Sequence, residues 1–162
     1  MDKILRINMG ADGGPEIKTE PLGDYAGLGG RAMTSGIVAK EVPPLCHPLG
    51  EDNKLVIAPG MLSGSVAAMS GRISVGCKSP LTGGIKEANA GGTFGQKMGR
   101  LGLAAIVLEG KPDSDHIYIA HITRDGARLE TADGLKGAGN YKVTETLRAK
   151  YGNHIGIVTI GP

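Results

Sequence analysis

The sequence predicts an α+β fold in which mixed to antiparallel β-sheets are flanked by helices. Short apolar runs of strand length alternate with three stretches of helical periodicity. Two pairs of predicted strands are joined by Asp-Gly turns, at Asp12-Gly13 and Asp125-Gly126, and the second pair is the strongest hairpin signal in the chain. A length of 162 residues corresponds to about one domain, which we place at residues 1–162.

Each element follows from a local pattern. Helical spacing of apolar residues, with a stop before Pro43-Pro44 for the first helix, predicts helices at 31–41, 93–100 and 143–150. Alternating or continuous apolar runs predict strands at 4–9, 16–20, 55–58, 72–78, 104–109, 117–123, 127–131 and 155–160. The stretch at 79–92 carries many glycines and is predicted as a loop.

Two parts of the chain repeat one order of elements. The strand, Asp-Gly turn and return strand of residues 4–20 lead through a glycine-rich stretch into a helix, and residues 117–137 have the same order. A duplicated strand-hairpin-helix unit is one interpretation. Two unrelated hairpins are the other, because Asp-Gly hairpins are common.

Charge and composition exclude several classes of function. Eighteen basic and sixteen acidic residues give a net charge of +2, which does not favour nucleic acid or a membrane surface as a partner. Four Tyr, one Phe and no Trp leave few platforms for base stacking. No apolar stretch reaches the ~20 residues that cross a bilayer, and residues 1–6 lack a signal-peptide core, so we expect a cytoplasmic protein.

Two motifs and the number of cysteines bear on other kinds of site. Gly27–Ala32 fits the G-x-G-x-x-G/A pattern of dinucleotide-binding folds, but no buried strand leads into it, which leaves nucleotide binding as a minor alternative. Gly71–Ser79 departs from P-loop spacing because Cys77 stands where the lysine is needed. The two cysteines, Cys46 and Cys77, are too few for a disulfide scaffold, an iron–sulfur cluster or a four-cysteine zinc site.

Residues 70–95 carry the strongest indication of a ligand site. Arg72 stands among small residues, and its guanidinium is a planar, permanently charged fork for phosphate. Asn89 precedes Gly91-Gly92 at a predicted helix start, where free N–H groups favour anions, and its carbonyl suits a hard cation such as magnesium. This pattern fits a bulky phosphorylated ligand, and a glycine-rich structural loop with a surface arginine is the alternative.

At these residues the chain resembles the N-terminal domain of the aldehyde ferredoxin oxidoreductases, tungsten enzymes with a bis-pyranopterin cofactor. The most specific similarity lies in Lys78–Gly83 and Asn89–Gly95. Further similar segments, in the family's order, are 29–31, 41–44, 48–49, 51–55, 58–60, 63–64, 70–72, 108–111 and 159–162.

The resemblance implies a base of sheet and helix on which the tungstopterin sits. It implies that Arg72 contacts the pterin and links toward a [4Fe–4S] cluster. It places Asn89 and Gly91 at the pterin phosphates, with the Asn89 carbonyl on a bridging magnesium ion. The implied activity is two-electron oxidation of an aldehyde, with water, to a carboxylic acid, with ferredoxin as electron acceptor and molybdenum as the alternative metal.

The chain also departs from this family. The cysteines that bind the cluster, a second phosphate-binding loop and the active-site glutamate and histidine have no counterpart in its 162 residues. We therefore expect a C-terminally truncated N-terminal domain that carries no catalytic residue and is inactive alone. A stand-alone pterin- or phosphate-binding module, or small subunit, is the alternative. Apolar surface left exposed on such a domain would favour a homodimer.

Overall fold

The computed structural model describes residues 1–161 of the chain. Pro162, the last residue of the similar segment at 159–162, lies outside the described residues. The chain divides into unit 1, Met1–Asp113, and unit 2, which begins at Ser114. Each unit has its own sheet, and the α+β class predicted from the sequence is confirmed.

Unit 1 is built on one six-stranded sheet. Its strands are β1 (Lys3–Asn8), β2 (Glu16–Pro21), β3 (Lys54–Pro59), β4 (Ile73–Lys78), β5 (Ile85–Ala90) and β6 (Leu103–Glu109). They lie in the order β2-β1-β6-β3-β4-β5. Only the β1–β6 pair is parallel, and the other neighbours are antiparallel. The helices of this unit are α1 (Gly30–Glu41) and α2 (Phe94–Arg100), and a 3-10 turn spans Gly23–Tyr25.

Helix α1 lies against one face of this sheet and completes the main core. Met33 and Ile37, one turn apart, are fully buried against Ile4 of β1 and Val56 of β3. The helix ends where Pro43 forces the preceding residue out of helical geometry. Helix α1 and strand β4 approach each other closely, since a Cβ at Gly76 would lie 2.7 Å from that of Thr34.

A cluster of charged side chains joins the C-terminal end of α1 to four strands. Arg6 of β1 donates to Glu41 through both terminal nitrogens, each at 2.8 Å, and to Glu20 of β2 at 2.7 Å. Lys54 of β3 donates to Glu41 at 2.9 Å and to Glu109 of β6 at 2.6 Å. The Tyr25 hydroxyl donates to Glu41 at 2.7 Å. We call these six residues the Glu41 cluster.

Hydrogen bonding in this cluster outweighs the cost of burying its charges. Burial alone would raise the pKa of the Glu41 carboxyl, but hydrogen bonds from Arg6, Tyr25 and Lys54 lower this pKa to about 2. The pKa of Arg6 and that of Lys54 are raised, because their carboxylate partners overcome the opposing effect of burial. Burial and the bond to Glu41 also raise the pKa of Tyr25.

The described part of unit 2 contains one hairpin and one α-helix. The strands β7 (Tyr118–Ile122) and β8 (Ala127–Thr131) form a two-stranded antiparallel sheet. A 3-10 turn at Asp133–Leu135 follows, and then α3 (Asn140–Tyr151), whose Val143 and Leu147 are buried. Among the described residues of the chain, no helix is both long and apolar enough to cross a membrane.

Two predictions about elements are wrong. The stretch at 79–92, predicted as a loop, contains β5, whose polar residues lack the apolar alternation of a half-buried strand because both of its faces are largely exposed. The predicted strand at 155–160 is irregular, because among the described residues no neighbouring strand pairs with it. The remaining predicted helices and strands are confirmed within a few residues of their bounds.

Substitution of Glu41 tests the charged cluster. Because its pKa is about 2 in the fold against an ordinary 4.5, ionised Glu41 contributes on the order of 3 kcal/mol above about pH 4.5, and loses it as the pH falls through about 2. Glu41→Gln should therefore lower the free energy of unfolding by about 2–4 kcal/mol at pH 7. The loss should shrink at about pH 3, as measured by urea unfolding.

The matched control is Glu16→Gln, since Glu16 pairs with Lys18 on the exposed surface of β2. An exposed pair contributes about 0–1 kcal/mol, so this variant should unfold almost like the parent chain. Equal losses for the two variants would contradict the role given to the cluster.

Candidate cofactor site

The three site residues predicted from the sequence come together at one end of the β4–β5 pair. Arg72 and Gly91 each lie one residue beyond the last pair of this ladder, Ile73 with Ala90. Asn89 lies opposite Ser74, one pair further in. All three predicted residues are exposed. The register of one antiparallel pair thus places an arginine, an asparagine and a glycine beside each other at the surface.

Asn89 precedes the helix start predicted at residue 93, which is confirmed within one residue. It lies in strand β5, and the seven-residue α2 begins only at Phe94. A second helix start, that of α1, lies close to Asn89, because Ser74 Oγ donates to Asn89 Oδ1 at 3.1 Å and also lies 3.6 Å from the Cβ position at Gly30. Among residues 1–161, no side chain caps the first turn of α1.

The main-chain carbonyl of Asn89 points to the open edge of the sheet. Gly60 N–H donates to the Arg72 carbonyl at 3.2 Å, so Pro59 and Ile73 form a non-hydrogen-bonded pair of β3 and β4. The main-chain N–H and C=O groups of successive residues point to opposite sides of a strand. Those of Ser74 therefore point toward β3 and away from β5. Its partner Asn89 therefore directs its own N–H and C=O outward, where no strand lies among the described residues.

Glu87 is a residue of this site that the sequence did not reveal. One carboxylate oxygen, Oε2, accepts from Asn89 Nδ2 at 3.1 Å and from Arg31 Nε at 3.2 Å. The other oxygen, Oε1, is buried and has no hydrogen-bond partner among the described residues. Glu87 and Ser74 together orient the Asn89 amide. The only signal in the sequence is the spacing of two between Glu87 and Asn89, which puts them on one face of a strand.

Arg72 borders an open cleft in which its charge is not engaged. Among residues 1–161, no hydrogen bond or ion pair involves its guanidinium. The cleft has a volume of about 410 Å³, and the loop from Gly60 to Ser70 forms its other wall with Met61, Leu62 and Met69. These three apolar side chains are exposed. The guanidinium is free to meet an anion at the rim of an apolar surface.

The glycines near the site divide into open and packed positions. A Cβ at Gly91 would meet no atom of the described residues within 4 Å, so a ligand can approach this backbone. At Gly95, in the first turn of α2, a Cβ would lie 2.6 Å from the Gly71 carbonyl oxygen. At Gly29 it would lie 2.6 Å from the Met61 side chain. The last two glycines therefore serve close packing.

The competing motifs find little support in the structure. A 3-10 turn, and not a buried strand, leads into Gly27–Ala32, so the geometry of a dinucleotide fingerprint is missing. Burial raises the pKa of Cys77, which does not favour an activated thiolate. No three His, Cys, Asp or Glu side chains gather into a metal-binding group in the part of the chain that the structure describes.

Comparison with known proteins identifies relatives over the full length of the chain. Residues 4–162 match the family model described as aldehyde ferredoxin oxidoreductase, N-terminal domain. The chain is 36% identical over 164 residues to the tungsten-containing aldehyde ferredoxin oxidoreductase of Thermococcus kodakarensis, and 35% identical to that of Pyrococcus furiosus. Each alignment covers 99% of this chain but only 26% of the relative.

A solved structure has a similar fold. It is the active site complex BamBC of benzoyl coenzyme A reductase in complex with 1,5-dienoyl-CoA, with a TM-score of 0.80 and 25% identity. The similarity covers 92% of this chain and 22% of that one. In these comparisons the present chain thus corresponds to a minor part of each larger protein.

Two alanine substitutions distinguish the open glycine from the packed one. Gly95→Ala should lower the free energy of unfolding by about 1–3 kcal/mol, because the new methyl group would overlap the Gly71 carbonyl. Gly91→Ala should change it by less than about 0.5 kcal/mol, because its methyl group would enter open space. Urea unfolding of both variants measures the difference. A large loss for Gly91→Ala would show that this backbone is packed and not available to a ligand.

Proposed function

The chain belongs to the aldehyde ferredoxin oxidoreductase family, and we propose that it forms the part of such an enzyme that cradles a tungsten bis-pyranopterin cofactor. The observation that carries this proposal is the meeting of Arg72, Asn89 and Gly91 at the open end of the β4–β5 pair. An uncommitted guanidinium, an outward carbonyl and an uncovered glycine backbone there suit a phosphorylated ligand. The names of the relatives specify tungsten.

Each residue has a distinct part in the proposed site. Arg72 meets the anionic or polar edge of the pterin from the rim of the apolar cleft. Gly91 lets a phosphate approach the main chain. The uncapped first turn of α1, beside Ser74, adds N–H groups that favour negative charge. These features share one region of unit 1 and would act on the same ligand.

A magnesium ion between the phosphates would be held by the main-chain carbonyl of Asn89. The side-chain carbonyl already accepts from Ser74, whereas the main-chain carbonyl faces the open edge of the sheet. A carbonyl oxygen is a ligand that Mg²⁺ accepts, with phosphates and water completing its shell. Glu87 and Ser74 act as positioning residues, because they fix the asparagine that presents this oxygen.

The catalytic chemistry would come from the bound group and from other parts of the protein. When bound, the tungsten centre, or molybdenum as the alternative, supplies the two-electron oxidation of an aldehyde to a carboxylic acid. A [4Fe–4S] cluster and transfer to ferredoxin belong to the same proposal. Cys46 and Cys77 cannot bind such a cluster alone, so its ligands would lie in polypeptide beyond the matched 26% of the relatives.

The substrate would be chosen outside this domain. A protein of similar fold carries the name of a benzoyl coenzyme A reductase, whereas the sequence relatives carry that of an aldehyde oxidoreductase. A domain fold that occurs in enzymes with such different reactions does not by itself select the substrate. An aldehyde is therefore proposed on the family alone. A pterin-binding subunit without activity is the second candidate, since Arg72, Asn89 and Gly91 are assigned to binding and none of them to catalysis.

Replacement of Arg72 tests the proposed cradle. The protein is purified at its native length from cells supplied with tungstate, and its tungsten and pterin contents are measured by mass spectrometry and by fluorescence of the oxidised pterin. Arg72→Ala should lower both contents several-fold, because a charged contact to the cofactor is lost. Aldehyde-dependent reduction of a viologen dye should fall in proportion or further.

Arg124→Ala is the matched control, since Arg124 is an exposed arginine in the β7–β8 turn. It should keep full tungsten and pterin contents. Unchanged occupancy and activity in Arg72→Ala would overturn the role of Arg72. Cofactor binding without any aldehyde-dependent dye reduction in the parent protein would favour the non-catalytic subunit.

A further inference from the structure

Unit 2 has the same order of elements as the first part of unit 1. In each, an antiparallel hairpin leads through a 3-10 turn into a helix of 12 residues. Between β2 and the end of the helix, each residue of unit 1 corresponds to a residue of unit 2 at a constant distance along the sequence. Several of these pairs are the same amino acid: Glu20 and Glu130, Gly27 and Gly137, Gly29 and Gly139, Thr34 and Thr144, Lys40 and Lys150. Gly27 and Gly137 both have left-handed backbone, with φ of 80° and 72°.

Strand β1 has a neighbour on each side, β2 and β6, whereas within the described residues β7 has only β8. In unit 1, Met9 N–H donates to the Glu109 carbonyl at 2.7 Å, so alternate residues of β1, among them Leu5 and Ile7, face β6. In unit 2, Thr123 N–H donates to the Gly126 carbonyl at 2.8 Å. The main-chain groups of alternate residues of β7, Ile119 and His121, therefore point toward β8.

The main-chain groups of Tyr118, Ala120 and Ile122 therefore face the opposite edge of β7. By position in the two hairpins, Ala120 corresponds to Leu5 and Ile122 to Ile7. No strand lies at this edge within the described part of unit 2.

The segment at 155–161 follows α3 as β3 follows α1. In unit 1, the glycine after β3 returns to the start of the helix, because Gly60 Cα lies 4.0 Å from the Cβ position at Gly30. In unit 2, Gly161 returns to the start of α3, with its Cβ position 3.2 Å from Asn140 Oδ1. The segment has the branched apolar residues of a strand, and Ile160 is 97% exposed.

One polar group in unit 2 lacks the partner that β6 provides in unit 1. Arg6 donates to Glu109 of β6 at 3.3 Å in addition to its other bonds. The corresponding residue, His121, stacks on Tyr151 with ring centres 4.3 Å apart. Its Nδ1 is buried without a hydrogen bond in the described residues, and Glu130 Oε1 is 3.8 Å away.

We propose that the open edge of β7 binds an extended apolar strand that runs parallel to β7. This strand would take the place that β6 has in unit 1, and would pair on its other side, antiparallel, with residues 155–160. We assign it to a segment of the polypeptide that the relatives have outside the matched 26% of their length. Such a segment should be apolar throughout, because the first five residues of β6 are all buried. This proposal does not depend on the cofactor proposed above.

Amide hydrogen exchange followed by NMR tests the proposal on the 162-residue chain. The probe is a synthetic peptide with the sequence of residues 102–111, which contains β6 and fills the corresponding place in unit 1. Without peptide, the amides of Tyr118, Ala120 and Ile122 should exchange fast, whereas those of Ile119 and His121 should be protected by β8. Peptide at millimolar concentration should slow the first three by about tenfold or more. A spin label at the N-terminus of the peptide should broaden Tyr118 more than Ile122, as a parallel strand requires.

Two variants and a tethered form make a negative result decisive. Ala120→Pro removes the outward N–H and should abolish the protection by peptide, while Ile119 and His121 stay protected because an edge tolerates proline. Ala120→Ser keeps the N–H and should respond like the parent chain. Joining the same peptide after Pro162 through a flexible linker raises its effective concentration, so even weak pairing would be detected.

Three results would overturn the proposal. The first is unchanged exchange at Tyr118, Ala120 and Ile122 with both the free and the tethered peptide. The second is protection confined to the edges of β2 or β5, or a spin-label pattern that indicates an antiparallel strand. The third is slow exchange at the β7 edge in the chain alone together with a dimer in sedimentation, which would show that a second copy covers this edge.

Discussion

The C-terminal end of α1 is held to the sheet of unit 1 by one carboxylate, and the arrangement of this unit depends on it. Glu41 accepts hydrogen bonds from Arg6, Lys54 and Tyr25, which come from three different elements. A carboxylate buried with fewer partners would cost more free energy than it returns. The cluster therefore has to be complete, and completeness requires β1, β3 and β6 to lie side by side.

The other end of α1 is held by a smaller set of contacts that belong to the candidate site. Arg31, in the first turn, donates to Glu87, which also accepts from Asn89. Between the two ends, Gly76 allows the helix to touch β4. The helix is thus secured at one end by a network that serves stability and at the other by residues that position the proposed ligand of magnesium. A tilt of α1 would disturb both.

Parts of this arrangement follow from sequence, and others depend on contacts that sequence patterns do not report. Helix α1 is predictable because Met33 and Ile37 repeat at helical spacing and Pro43 stops the helix. Arg72, Asn89 and Gly91 can be selected through residue chemistry and family resemblance. Glu87 cannot, because its role arises from the register of β5 and from α1. For residues 155–160 the sequence predicts a strand that the structure lacks. Their apolar pattern is that of a strand, but a strand also needs a neighbouring strand to pair with.

The outward main chain of β5 also bears on solubility. Its outer edge offers unpaired N–H and C=O groups that another extended chain could use, which is how sheet proteins begin to aggregate. Lys86 and Glu87 put charge on successive residues of that strand, on opposite faces, and charged side chains discourage such pairing. A ligand seated at Asn89 and Gly91 would cover one end of the same edge. Loading of the site would then protect the protein from self-association, and empty protein would be the form that precipitates first on storage or heating.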